Sequence, residues 1–365
     1  MRRFRILAVQ LLLGLVTLEL CLRIYNPLPY RVRGDRIVLP VGQVYAFDNH
    51  RARKLDPITH HTKNSLGFRG PDPPRDFDRR LRLLTVGGST TECLFLSDGK
   101  TWTDGVARRV LAIDPTAWIN NAGLDGQSTN GHLVLLRNFI VALKPTLVVF
   151  LVGANDVGLD RSNGYDTALV PPATLARRLQ AFVIDHSEVA AVAQNAYRAA
   201  WTRQRGFGHS EIDVTTVPRR TIADQDVVRT LNEHRMRYLE GYAHRLTQLA
   251  ELCRSSGIEP VFVTQPALFG NAIDAATGVD LSTVQVNGRG NGTLEWRLLE
   301  LYNDVTRRVA VAQGLLLIDL ARELPKDSRL FYDFLHFTNE GAAKVAEIVA
   351  QHLVPRLRER VAGHG

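Results

Sequence analysis

The chain has 365 residues, 45% hydrophobic and 22% charged, a globular balance that is long for one domain and short for two large ones. Its formal net charge is +8, yet the arginines are scattered and no stripe interleaves them with aromatics. That pattern argues against a nucleic-acid groove and leaves anionic lipid or glycan as the partner for the charge.

The first element is an anchor. Arg2, Arg3 and Arg5 precede an apolar run from Ile6 to Leu22, which sits at the short limit of roughly 17–25 residues for a span. Glu19 lies near its far end, within reach of the interface. No small-x-small cleavage signal follows, and Leu20 before Cys21 makes a poor lipoprotein site. These signals predict an uncleaved single-pass membrane helix over 1–26, with the short basic tail inside and the bulk of the chain extracytoplasmic. A cleaved signal peptide and an amphipathic surface helix are the alternatives.

Residues 27–80 are proline-rich and weakly periodic, and read as a connector that wraps onto the domain. From Leu81 a strand–helix alternation begins. Strands are predicted at Leu81–Val86, Trp118–Asn120, Thr146–Val152, Glu259–Thr264 and Leu315–Leu320. Helices are predicted at Trp102–Ile113, Gly131–Leu143, Val228–Ser256, Thr293–Gln313 and Thr338–Leu357, with Thr338 as the N-cap of the last. A further helical stretch covers Leu175–Trp201. The expected fold is α/β, a doubly wound, mainly parallel five-stranded sheet with helices on both faces. Insertions fall at about 157–226 and 267–292, where they would shape a substrate mouth. Cys93 and Cys253 are either a pair or two buried thiols.

In open parallel sheets, ligands bind outside the carboxyl ends of the strands. Gly87, Gly88 and Ser89 follow the first strand. Gly126 follows the second, Asn155 and Asp156 the third, and Gln265 the fourth. Asp333 and His336 lie between the fifth strand and the last helix. A hydroxyl, a glycine amide, an amide side chain and an Asp/His pair therefore converge on one edge.

These blocks, GGS at Ser89, the glycine loop at Gly126, GAND with Asn155 and DFLH with Asp333 and His336, resemble the four ordered blocks of the SGNH (GDSL-type) hydrolases. With the apolar N-terminus, "NSLGFRG" and "GGSTTE", the chain resembles a bacterial membrane-anchored branch of that family. The usual acid before the nucleophile is Gly88 here. The resemblance implies Ser89 as nucleophile, with Asp333 and His336 completing a triad. It also implies an oxyanion hole from Ser89, Gly126 and Asn155.

The chemistry assigns the same roles. A serine hydroxyl needs a base to take its proton, and His336, oriented by Asp333, is the candidate. Ester attack creates an oxyanion, for which the Ser89 and Gly126 N–H groups and the Asn155 amide are donors. Gly87 and Gly88 let the chain turn sharply beside the substrate. No lysine follows them and the third glycine of a dinucleotide turn is missing, so no nucleotide cofactor is expected. No Cys/His spacing suggests a metal. Gln265 is a candidate substrate contact by position alone. Set against these roles, Ser89 can simply cap a helix, Asn155 and Asp156 can form a plain turn, and His336 can be a surface residue. His132, His186, His234 and His244 read as surface or core side chains.

The sequence thus predicts a serine esterase acting on short, acetyl-like O-acyl groups of an extracytoplasmic glycan or lipid. No long apolar run is left to line a fatty-acyl tunnel. Two alternatives stand: a glycan O-acyltransferase using the same serine, and an inactive glycan-binding or assembly protein.

Overall fold

Five strands pair into one sheet: β1 (Arg82–Gly87), β2 (Trp118–Asn121), β3 (Leu147–Val152), β4 (Glu259–Thr264) and β5 (Leu316–Ile318). Every ladder is parallel, in the order β2-β1-β3-β4-β5. This is the flavodoxin-like order of doubly wound sheets, which reverses direction between β1 and β3 and opens a crevice there. β3 is buried at every position, because a central parallel strand is covered on both faces. The computed structural model describes residues 2–26, 30–34, 36–159, 174–204, 209–286, 288 and 290–362. Parts of the insertion expected at 157–226, namely 160–173 and 205–208, lie outside the described residues.

The main helices are α1 (Trp102–Leu111), α2 (Thr129–Leu135), α3 (Asp224–Arg237), α4 (Leu239–Ser255), α5 (Gly292–Ala312) and α6 (Asn339–Ala362). α1 and α6 pack on each other, and α2, α3 and α5 each pack on α4. Alternate strand residues separate accordingly. Leu83, Val149, Leu151, Val261 and Val263 share one core cluster with Val106, Val110, Val345 and Val349 of α1 and α6. Thr101 opens α1 with a capping box to Asp104. Thr338 caps α6, its hydroxyl accepting from Gly341 N at 3.1 Å.

Three predicted helical stretches differ from the observed ones; Leu175–Trp201 is two helices, Leu175–His186 and Glu188–Gln204, broken at Ser187. The run Val228–Ser256 is two helices that meet at Tyr238, the first starting at Asp224. The run Gly131–Leu143 starts at Thr129, capped by Ser128, and passes through a π-helical turn at Leu136–Ile140. Apolar periodicity resolves neither of these last two changes, since both keep the same face buried.

The chain divides into two compact units. One combines Met1–Pro40 with Tyr165–Gly208, the other Val41–Gly164 with His209–Gly365. The first holds the helix Arg2–Ile24, the hairpin Val32–Arg33/Arg36–Ile37, and the helices Leu175–His186 and Glu188–Gln204. The stretch Arg3–Ile24 has a mean hydropathy of 1.9 and is exposed, long and apolar enough to cross a membrane, a property that signal sequences share. Glu19 takes up the orphan donors of a helix start: its carboxylate accepts from Ser187 Oγ, Glu188 N and Val189 N at 2.9–3.1 Å. Arg33 and Arg36 pair with Glu188 and Asp185, both at 2.7 Å.

The second unit holds the sheet. The connector expected over 27–80 is divided at Pro40, and its later part carries a hairpin, Val44–Asp48 with Ile58–Thr62. Arg69 then bridges Asn121, the last residue of β2, in antiparallel sense. Cys93 and Cys253 are buried with free thiols.

Candidate active site

β1 runs into the single helical turn Ser89–Glu92 through Gly87 and Gly88. The glycines are there for space. A Cβ on Gly87 would lie 2.1 Å from Thr91 Oγ1 and 2.8 Å from Leu151 O. One on Gly88 would lie 2.3 Å from Asn155 Nδ2 and 3.1 Å from Gln127 O. Below 3 Å something must shift, and at 88 the group that must shift is the Asn155 amide. The pair thus makes room for neighbouring protein groups, where the sequence suggests a sharp turn.

The turn is tied down on all sides. Trp102 Nε1 donates to Thr90 O at 3.0 Å, and Asn121 Nδ2 to Thr91 O at 2.6 Å. Thr90 Oγ1 donates to Gln265 Oε1 at 3.1 Å. Gln265 is buried, and its Nε2 donates to Pro266 O at 2.9 Å. Its amide thus braces the Ser89 turn from behind; the contact expected there, with substrate, would need these atoms free.

Ser89 Oγ lies 2.7 Å from His336 Nε2, and His336 Nδ1 lies 2.6 Å from Asp333 Oδ2. The other Asp333 oxygen accepts from Leu335 N and His336 N at 2.8 and 2.7 Å. Burial works against the Asp333 charge, but the His336 ring and these backbone donors prevail and hold its carboxyl below the usual carboxylate value. The hairpin around Phe331↔Phe337 fixes the loop that carries both residues. A hydroxyl, an imidazole and a carboxylate in this sequence can pass a proton from oxygen to nitrogen.

Asn155 sits in the 3₁₀ turn Ala154–Asp156 after β3. Its Nδ2 donates to Gln127 O at 3.0 Å. Asp156, fully buried, accepts from Thr129 Oγ1 at 2.5 Å and from Arg245 at 3.0 Å, which pins the turn to α2 and α4. His132 Nδ1 lies 3.0 Å from Gln127 Oε1. Burial pushes the His132 imidazole down to about 3, so it is neutral and belongs to the core. Gly126 takes φ +72°, in the left-handed region that favours glycine.

Three residues of this framework are given no role by the sequence, although Arg69 lies in "NSLGFRG" and Glu92 ends "GGSTTE". Glu92 and Lys63 form a buried ion pair at 2.9 Å, and Glu92 also accepts from Asp125 N at 2.6 Å. The nucleophile turn is thereby joined to the Gly126 loop. Arg69, buried, donates to the carbonyls of Glu92, Cys93 and Leu96 at 2.7–2.8 Å. It covers the carbonyl end of the turn, as cations do at helix C-termini. Lys63 and Arg69 both come from the connector.

A second histidine adjoins the first. The His209 ring lies 4.2 Å, centroid to centroid, from that of His336. Its Nδ1 is 2.8 Å from Tyr332 Oη and its Nε2 3.3 Å from Asp125 Oδ1. His209, Asp333 and His336 are the one group of metal-capable side chains this close among the described residues. The ring nitrogens of His209 are engaged with Tyr332 and Asp125 and those of His336 with Asp333 and Ser89, so the two histidines meet by ring packing alone.

Residues 85–344 match the GDSL-like Lipase/Acylhydrolase family. No curated protein matches the chain. Among solved structures, TesA is similar at 16% identity and TM-score 0.41, over 75% of this chain and 98% of that one. An acetyl-xylooligosaccharide esterase from Geobacillus Stearmophilus, a variant of Axe2, is similar at 15% identity and TM-score 0.41, over 74% and 93%. A lipase/acylhydrolase from Enterococcus faecalis is similar at 17% identity and TM-score 0.40, over 75% and 96%.

Proposed function

The chain belongs to the GDSL-like Lipase/Acylhydrolase family, hydrolases acting on ester bonds, and from that premise we propose that it is a membrane-anchored serine esterase. Its substrate is a short-chain O-acyl ester of an extracytoplasmic glycan or lipid. The observation that carries this reading is the Ser89–His336–Asp333 chain of contacts at 2.7 and 2.6 Å.

In this mechanism His336 Nε2 takes the proton as Ser89 Oγ attacks the ester carbonyl. The tetrahedral oxyanion is met by the Ser89 and Gly126 N–H groups and by Asn155. A carboxamide has two N–H donors; Gln127 O takes one and the other serves the oxyanion. The imidazolium, held by ionised Asp333, returns its proton to the leaving alcohol. A water, activated by the same base, then hydrolyses the acyl-enzyme. The test is turnover of p-nitrophenyl esters of rising chain length, with product partition in the presence of a glycan acceptor. Fastest turnover at acetyl with free acetate as product is expected; acylated glycan in excess makes the protein a transferase.

Gly88→Ala probes the crowding around Asn155. A Cβ 2.3 Å from Asn155 Nδ2 forces the amide out of its place. We expect kcat to fall roughly 10–100-fold with KM little changed. Unchanged kcat would show that the amide's position is not critical.

The anchor has its own check. The apolar helix supports retention of the full chain in the membrane pellet after an alkaline wash, with the catalytic unit protected from protease added to the cytoplasmic side. Release by alkali would make the helix peripheral. Deleting residues 1–34 also removes the Glu19 cap and the Arg33–Glu188 pair. The shortened chain is therefore expected to lose order in the helix Glu188–Gln204, read as lost amide-exchange protection there.

A further inference from the structure

We propose that His209 is a positioning residue for the base: with Asp125 it forms a second histidine–aspartate couple, whose ring packs on that of His336, fixes its orientation and governs the acid limb of the pH profile. The proposal rests on the reading of His336 as the base.

The geometry places His209 where it touches that base. The two rings are 4.2 Å apart at 45°, and Tyr332 stacks on His336 at 5.5 Å, so His336 is in contact with a ring from each of these residues. His209 is itself held. Tyr332 Oη and Asp125 Oδ1 engage its two nitrogens, and Phe95 packs edge-on at 5.3 Å. The backbone that carries it is sewn to the base loop by Ile212 N donating to Tyr332 O at 2.9 Å. Lys54 Nζ clamps the same pair of segments, donating to Ile212 O and Phe331 O at 3.1 and 3.2 Å.

The charge follows from the neighbours. Burial disfavours the His209 cation, but the hydrogen bond and charge of Asp125, with Asp333 and Glu92 beyond, outweigh it and raise its proton affinity above the ordinary histidine value. The groups facing His336 are Asp333, Ser89, His209 and Tyr332. Those facing His209 are Asp125, Tyr332, Asp333, Glu92 and His336. Lys63 neutralises Glu92, and Lys54 lies in the field of Asp333. Tyr332 stays neutral, since burial and then Asp333 push its hydroxyl up.

A base works only when it is unprotonated, so kcat/KM falls as pH drops through its protonation. A cation beside it delays that fall. Removing the cation also leaves Asp125 without its counter-charge, and both changes favour protonation of His336. The acid limb of the pH profile must therefore move to higher pH when His209 becomes neutral. A unit charge at this separation, partly offset by Asp125, corresponds to roughly 0.5–1 pH unit.

The test uses the full chain in detergent with p-nitrophenyl acetate, comparing kcat/KM across pH for the unmodified protein, His209→Gln and His209→Asn. We expect the acid limb of both variants to move up by about 0.5–1 unit, a roughly 3–10-fold loss on the acid side, with the alkaline plateau changed less. An unmoved acid limb with the plateau retained overturns the proposal. If the variants do not fold, a ¹⁵N imidazole titration of the unmodified protein decides. His209 must still hold its proton at the pH where the acid limb falls, and a neutral His209 there also overturns it. Loss of the parent reading has a different signature, turnover that survives Ser89→Ala.

Discussion

Ser89→Ala is expected to lower kcat by roughly 10⁴–10⁶-fold and to abolish labelling by a fluorophosphonate probe. Its midpoint of thermal unfolding should stay close to that of the parent, because the hydroxyl's contact is with the His336 ring at a half-buried position. His336→Ala should cost about as much, and the double variant no more, since nucleophile and base act as a unit. Asp333→Asn should cost less. It keeps the turn that places His336 but donates where Nδ1–H must donate, so the imidazole takes the wrong tautomer. Asp333 holds its charge well below neutral pH. Its support for folding and for the imidazolium is present above the ordinary carboxylate range and is lost only as pH falls through its depressed value. Full activity in Ser89→Ala would remove the serine from the mechanism and revive the reading of the chain as an inactive binding protein.

The sheet is legible in the sequence because a parallel strand buried on both faces must be apolar throughout. Leu147–Val152 is such a run throughout, and Glu259–Thr264 is one at its centre, Val261–Val263. Position relative to strand ends then groups Ser89, Asn155, Asp333 and His336, and the structure brings the first close to the last at 2.7 Å. The roles of the supporting residues are not legible, for a physical reason. Lys63, Arg69 and His209 act through contacts 23–127 residues apart in the chain. A lone cation in a proline-rich stretch has the same local pattern whether it is solvated or buried against Glu92. Gly88 shows the reverse case. Its departure from the usual acid reads as a weakened block, yet a Cβ there would meet Asn155 Nδ2 at 2.3 Å. Gly88 thus leaves room for the Asn155 amide. Gln265 is singled out by position alone, and position does not say which way a strand-end side chain points.

Asn155→Ala is the second large effect expected, a fall in kcat of roughly 10²–10³-fold with little change in KM. The argument is one of donor accounting. Asn155 Nδ2 spends one N–H on Gln127 O at 3.0 Å, and that bond fixes the plane of the amide. The turn beneath it does not depend on the side chain, because Asp156 is anchored separately by Thr129 and Arg245. Alanine therefore removes the donor and leaves the loop standing, so the loss falls on the transition state, where the carbonyl oxygen carries its full charge. A ground-state carbonyl is a weaker acceptor, and KM moves little. Asn155→Asp should be worse than alanine, since it sets a carboxylate against Gln127 O and against the developing oxyanion. Steady-state kinetics on p-nitrophenyl acetate separate the outcomes. A rise in KM at constant kcat would assign the amide to substrate binding and leave the Ser89 and Gly126 N–H groups to hold the oxyanion alone.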